Sequence, residues 1–282
     1  MSVYISTGGY NKNNIKLVLK KFKKNNINSV ELSGGIYDKD IYKNLIKKKN
    51  FKFQIHNYFP VPKKPFVLNL ASLDRSISNL TMNHVKKSIK LAKKINSKYY
   101  SIHAGFLCDL KPSDLGKKIK KKKLNNKKKS IKVFLNNLKK ISSYAKKFNI
   151  NIMVENNVIT KSNLKEFGKN PLLMCDPDEC LRLSRKFPGN VKMLLDVAHL
   201  KVSANTLGFK KKDMFFKCGN FIQGYHLSEN NGYKDTNEKF NSKSWFWRYL
   251  DKTLDYYSIE VYGESEKNLL KLKNLVSQKL ND

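Results

Sequence analysis

Residues 191–199 read VKMLLDVAH, an apolar, strand-like run that ends on Asp196 and is followed three residues later by His199. The same ending recurs along the chain. FKFQIH closes on His56, YYSIH on His103 and FIQGYH on His226, while INIMVE and YYSIE close on Glu155 and Glu260. Side chains that hold metals or move protons have therefore gathered at the C-terminal ends of candidate strands. In a closed parallel barrel those ends all open onto one face.

Working outward, apolar runs rich in β-branched residues occur near 2–6, 28–32, 51–55, 98–102, 150–154, 191–195, 221–225 and 256–261. Helical spacing of apolar residues lies between most of them. Ile15, Val18, Leu19 and Phe22 share one stripe, as do Ile89, Ala92 and Ile95, and then Phe134, Leu138 and Ile141. Asp176 followed by Pro177 predicts a capped helix start, and Leu269, Leu272 and Val276 predict a final helix. Strands alternating with helices over 282 residues predict an α/β chain folded as a single (β/α)8 barrel across 1–282. An open doubly wound sheet is the alternative; no GxGxxG or phosphate loop opens the chain, and ligand-type residues recur on too many strands for it. The loops after strands 3, 4 and 7 are longer than connection requires, which marks them as carriers of a site. Phe59, Phe66 and Phe106 in two of these loops are candidate pocket walls. Trp245, Phe246 and Trp247 are expected on a helix after strand 7, in core and subunit packing or as a lid or dimer contact near the mouth, and His84 is expected as a surface residue of a helix.

Composition narrows the classes. The net charge of +35 suggests an anionic partner, but only four of the 57 basic residues are arginine, the residue that best recognises phosphates and bases. The lysines are spread along the chain with abundant asparagine, as an A+T-rich coding bias would leave them. The densest tract, Lys117–Lys132, carries no interleaved aromatics for stacking nucleotide bases. Its like charges predict a solvated face or a partly mobile segment, with a contact to phosphate or an acidic partner as the functional alternative. Four cysteines without CxxC spacing read as buried, reduced thiols. No apolar run reaches membrane-spanning length. The opening MSVYISTGGYNKNN lacks a signal-peptide pattern, so the expected location is cytoplasmic.

The strand-end residues carry the chemistry. Glu155, Asp196, His226 and Glu260 stand on four consecutive strands, and carboxylates with one imidazole suit Mn²⁺, Mg²⁺, Co²⁺ or Zn²⁺. Any one of them alone would read as a rim salt bridge; four in sequence predict a divalent-metal site. Glu155 and Glu260 on opposite sides of the ion could take and return a proton next to a carbonyl. His56, His103 and His199 are candidates for a second metal or for substrate contact. His56 and His103 also read plainly as polar histidines of the rim, and His199 as an N-terminal helix residue that orients Asp196.

These motifs resemble the xylose isomerase-like TIM-barrel superfamily, which includes ketose 3-epimerases and endonuclease IV. The resemblance implies a metal held by Glu155 of MVENN, Asp196 of LLDVAH, His226 of YHLSE and Glu260 of YSIEV, with His199 touching substrate. His56 with Asn69-Leu70-Ala71-Ser72, and His103-Ala104-Gly105, resemble endonuclease IV. The Asp-x-His which that enzyme carries after strand 7 is matched here by Asp235-Thr236-Asn237, so Asp235 is a candidate second-metal ligand and Asn237 a departure. The loop HNYFPVPKKPFVLNLAS with SIHAGF is similar to sugar phosphate isomerases and epimerases associated with surface-sugar synthesis. The epimerases' Arg after the strand-7 His is missing from HLSENNG, which leaves Glu229, Asn230 and Asn231 as candidates to bind hydroxyls.

The expectation is a metal-dependent isomerase or epimerase acting on a sugar, sugar phosphate or related polyol, with a carbohydrate as its partner and a homo-oligomer as an option. An abasic-site endonuclease using zinc, with nucleic acid as partner, and a non-catalytic barrel are the alternatives.

Overall fold

Alternation along each strand sorts the side chains into two sets. In the computed structural model, which describes residues 2–115 and 117–282, the strands are β1 (Ser2–Ser6), β2 (Ser29–Leu32), β3 (Lys52–His56), β4 (Tyr99–His103), β5 (Asn151–Glu155), β6 (Val191–Asp196), β7 (Ile222–Leu227) and β8 (Tyr256–Ile259). They pair in sequence order, all parallel, and β8 closes onto β1. The chain is a (β/α)8 barrel, as its pattern predicts. Outward-pointing residues such as Ile5, Val30, Ile55, Ile152, Leu195 and Ile259 are buried in one core with the helices. Each such fully buried aliphatic side chain contributes about 1.5–3 kcal/mol.

The helices are α1 (Ile15–Lys24), α2 (Ile41–Ile46), α3 (Arg75–Lys94), α4 (Lys127–Lys146), α5 (Lys161–Phe167), α6 (Pro177–Ser184), α7 (Val197–Leu207), α8 (Lys211–Cys218) and α9 (Glu266–Asn281). Their starts follow capping chemistry. Asn14, Asp74, Asn126, Thr160, Asp176, Asp196 and Ser265 each accept a first-turn backbone N–H. The expected stripe Ile15, Val18, Leu19 and Phe22 is the buried face of α1. Among the described residues, no helix is long and apolar enough to cross a membrane.

Inside the barrel the lower layer is closed. Tyr4, Tyr99, Met153, Leu194 and Tyr256 form a separate buried cluster, with Tyr256 stacked on Tyr4 at 5.4 Å. Gly224 makes room for it: a Cβ there would lie 2.7 Å from the Tyr256 ring and 2.8 Å from its carbonyl oxygen.

Four expectations change. Trp245, Phe246 and Trp247 lie on no α-helix; only a 3-10 turn forms at Trp247–Tyr249. Three consecutive aromatics cannot share one helical face, and here they pack in a knot with Phe240 and Phe215. His84 is buried on the inner face of α3, its Nε2 3.3 Å from the Asn57 carbonyl oxygen and its ring edge-on to Phe66. Burial pushes this imidazole down to about 4. Phe59 belongs to the main core, and Phe106 packs in a side cluster with Leu172. The lysine tract is pinned in part. Ile119 is buried, and Lys118, Lys122 and Lys127 pair with Glu166, Asp114 and Glu179. Gly116, at its head, lies outside the described residues. All four cysteines are buried and free.

Candidate metal centre at the barrel mouth

The last inward residue of each strand points across the mouth. His103 pairs in register with Glu155, and Asp196 with His226, so the ends of β4 to β7 set their side chains side by side. Glu260 follows β8 directly, its N–H bonded to the Leu227 carbonyl oxygen at 3.1 Å. Glu155, Asp196, His226 and Glu260 bring one ligand atom each within 4.8 Å of one another, and all four are buried. His226 Nδ1 is the centre of the group, 2.9 Å from Glu260 Oε2, 3.1 Å from Glu155 Oε1 and 3.8 Å from Asp196 Oδ2.

Local structure aims each oxygen. Asp196 both ends β6 and caps α7: its Oδ1 accepts the His199 N–H at 2.7 Å, which leaves Oδ2 for the mouth. Asn156 holds Asp196 from behind, accepting its N–H at 2.8 Å and donating to its carbonyl oxygen at 3.2 Å. The Tyr262 hydroxyl donates to Glu260 Oε1 at 2.8 Å, leaving Oε2 turned toward His226. Gly8 admits that arrangement, since a Cβ there would sit 2.6 Å from the Tyr262 hydroxyl and 2.9 Å from Glu260 Oε1.

The candidate second set lies on the same face. His56 Nε2 and His103 Nδ1 stand 3.4 and 3.3 Å from Glu155 Oε2 and form with it another group of potential ligands. His199 sits between Asn156 and Asp235, its Nδ1 2.9 Å from the Asn156 carbonyl oxygen and its Nε2 3.1 Å from Asp235 Oδ2. Glu229 and Asn230 are spent elsewhere. Glu229 takes the Lys201 ammonium at 2.7 Å, and Asn230 bonds the Ala198 carbonyl oxygen and the Gly232 N–H. The amide of Asn237 donates to the Glu260 carbonyl oxygen at 3.0 Å, bracing β8 from outside the ligand set. Asn69 is likewise structural, since it ties the loops after β3 and β4 together through Phe106 and Ala71.

One member was not foreseen. Glu31, fully buried on β2, has its Oε2 2.8 Å from His226 Nε2 and accepts the Tyr256 hydroxyl. Its signal in the sequence is a carboxylate between two core residues, Val30 and Leu32, where alternation turns it into the barrel.

Electrostatics mark the site. Burial opposes ionisation of Glu260, yet the charge and hydrogen bond of His226 hold it down at about 2. Burial works against Glu155 too, and the imidazoles of His103, His226 and His56 hold it well below the usual carboxylate range. Asp196 moves the other way: burial lifts it to about 7, with Glu155 and Asp235 adding repulsion and His199 opposing. Burial works against protonating His226, but Glu31, Glu155 and Glu260 raise it well above the usual range. Burial pushes His103 down to about 4.

The donor set fits a divalent cation. Glu155 Oε2 and Asp196 Oδ2 are buried with no hydrogen-bond partner, which is costly unless a positive ligand completes them. In a chain with 22 acidic residues against 57 basic ones, this convergence of buried carboxylates is no consequence of composition.

A family model described as xylose isomerase-like TIM barrel matches residues 19–256. The chain belongs to that family. No curated protein sequence matches it. Solved structures share the fold. A D-tagatose 3-epimerase-like protein superposes with a TM-score of 0.75 at 18% identity, covering 100% of this chain and 97% of that one. D-psicose 3-epimerase with D-tagatose from Clostridium cellulolyticum H10 gives 0.67 at 12% identity, covering 100% and 97%. IOLI protein with a binding zinc atom gives 0.66 at 14% identity, covering 99% and 96%.

Proposed function

We propose that this protein is a divalent-metal-dependent isomerase or epimerase of a sugar, sugar phosphate or related polyol, working by proton transfer at a carbon next to a carbonyl. The observation that carries the reading is the buried set Glu155, Asp196, His226 and Glu260, with unpartnered oxygens on Glu155 and Asp196. Those four residues would hold the ion. It would supply Lewis-acid polarisation of the substrate's carbonyl and neighbouring hydroxyl oxygens, acidifying the C–H bond between them.

The chain's own residues do the rest. Glu155 and Glu260 approach His226 from different strands, so one carboxylate takes the proton and the other returns it. Return to the opposite face of the same carbon inverts it; return to the neighbouring carbon isomerises. Tyr262 holds Glu260 by one oxygen. His103, the most exposed imidazole of the group with 25% of its side chain accessible, is placed to meet a substrate hydroxyl. The named sugar epimerases of the same fold support the reading.

The experiment is exchange of substrate C–H for deuterium in D₂O across a panel of ketoses and their phosphates, with Mn²⁺ supplied. Exchange at one carbon is expected; none across the panel would reject the proposal. The group His56, His103 and Glu155 favours a second reading, a zinc-dependent abasic-site endonuclease with a further ion there. Asn237 weighs against it, because its amide braces Glu260 where that reading calls for a ligand. Incision of an abasic duplex with Zn²⁺ supplied would decide for it. In either reading a cytoplasmic enzyme, with a homo-oligomer as an option, binds its substrate at the barrel mouth.

A further inference from the structure

Glu31 has no part in the proton transfer above, yet it is fully buried deep in the barrel. Burying an ionised carboxylate costs several kcal/mol in order of magnitude unless its partners repay it. Its Oε2 serves two donors, His226 Nε2 at 2.8 Å and the Tyr256 hydroxyl, while Oε1 has none. A residue that served only packing would be better as leucine.

The geometry of His226 explains the investment. Its two nitrogens face different worlds: Nδ1 looks at Glu155, Asp196 and Glu260, and Nε2 looks at Glu31. A neutral imidazole carries one proton, and the nitrogen that holds it is set by whichever acceptor stands beside it. We infer that Glu31 is the positioning residue of the centre: it accepts the Nε2 proton of His226, fixes the ring, and leaves the Nδ1 lone pair to the cation. The inference rests on reading the four-residue cluster as a metal centre.

Supporting contacts hold Glu31 in turn. Tyr256 is clamped by its stack on Tyr4 and by the space left at Gly224. The edge of His56 against the His226 ring, at 4.9 Å between centroids, limits rotation from the other side. A carboxylate bonded to the far nitrogen of a ligating imidazole raises the basicity of the nitrogen that would hold the ion, and loss of such a carboxylate costs about 10–100-fold in metal affinity.

The test is Mn²⁺ binding to the full-length protein, read from the electron paramagnetic resonance of the free ion, for wild type, Glu31→Gln, Glu31→Leu and Tyr256→Phe. Glu31→Gln should bind about 10–100-fold more weakly and Glu31→Leu more weakly still. Tyr256→Phe should show the smallest loss. If Glu31→Leu does not fold, the two isosteric variants carry the comparison. A packing role would lower thermal stability and leave the affinity of the folded protein unchanged. Nitrogen-15 spectra of histidine-labelled, Zn²⁺-bound protein add a direct reading, with His226 protonated at Nε2 and metallated at Nδ1. Equal Mn²⁺ affinity in wild type and variants, or zinc on Nε2, overturns the role of Glu31 alone. A wild type that binds no Mn²⁺ overturns the metal centre itself, and the role with it.

Discussion

The two ends of the barrel are built by the same eight strands and obey the same alternation, yet they end in opposite chemistry. At the N-terminal end the inward residues are Tyr4, Tyr99, Met153, Leu194 and Tyr256, packed against one another. The polar group among them, Gln54, is satisfied by Tyr4, Ser97 and the Tyr99 N–H. A cavity of about 650 Å³ lies below this layer, lined by Lys48, Lys49, Lys52, Lys94 and Lys98 with Asp255. At the C-terminal end the inward residues are carboxylates and imidazoles, and oxygens of Glu155 and Asp196 lack partners. This hollow lies at the opposite end of the barrel from the candidate metal centre. Satisfied polar groups and apolar packing stabilise one end, while the other keeps buried carboxylate oxygens without a hydrogen-bond partner.

Substitutions can break this contrast. The largest expected effect is at the mouth: Glu155→Gln should slow deuterium exchange of substrate by about 10²–10⁴-fold, the usual range for loss of an acid–base group. Circular dichroism should show the fold kept. At the opposite end, Met153→Ala empties part of the closed layer and should cost about 2–5 kcal/mol in urea unfolding. Metal content per folded chain should not change. If Met153→Ala removed the metal and kept stability, the separation of the two ends would be wrong.

A third effect isolates burial without the site. His84 is held at about 4 against an ordinary 6.5. Above 6.5 it is neutral folded and unfolded. As pH falls from 6.5 toward 4 only the unfolded chain takes the proton, so stability drops, by about 2 kcal/mol between pH 7 and pH 5. Denaturant midpoints at those two pH values should converge in His84→Gln relative to wild type. The smallest effect separates the two jobs of Asp196. Asp196→Asn keeps a side-chain oxygen to cap α7, so in the metal-free protein Asp196→Ala should be about 1 kcal/mol less stable than Asp196→Asn. Both should lose metal.

The barrel was legible because parallel strands buried on both faces read as apolar runs, and each run ends where the helix or loop turns away. The four candidate ligands that the fold brings together were legible for the same reason: Glu155, Asp196, His226 and Glu260 stand at the ends of those runs. Glu31 escaped because Leu32 follows it, so its run does not end on the carboxylate, and only register and alternation turn it toward His226. Asn230 and Asn237 misled or resisted reading for a different cause. An amide in a loop after β7 can meet substrate or backbone, and the choice depends on where the loop folds back; here Ala198 and Glu260 receive them. His84 was misplaced because its neighbours in α3 are lysine-rich, while its own position faces Asn57.

The most direct test of the central claim is the metal content of wild-type protein purified without added metal and then dialysed against Mn²⁺ at neutral pH. The structure predicts one tightly held divalent ion per chain, lost in Asp196→Asn. No retained ion, or an ion retained equally by Asp196→Asn, would contradict it.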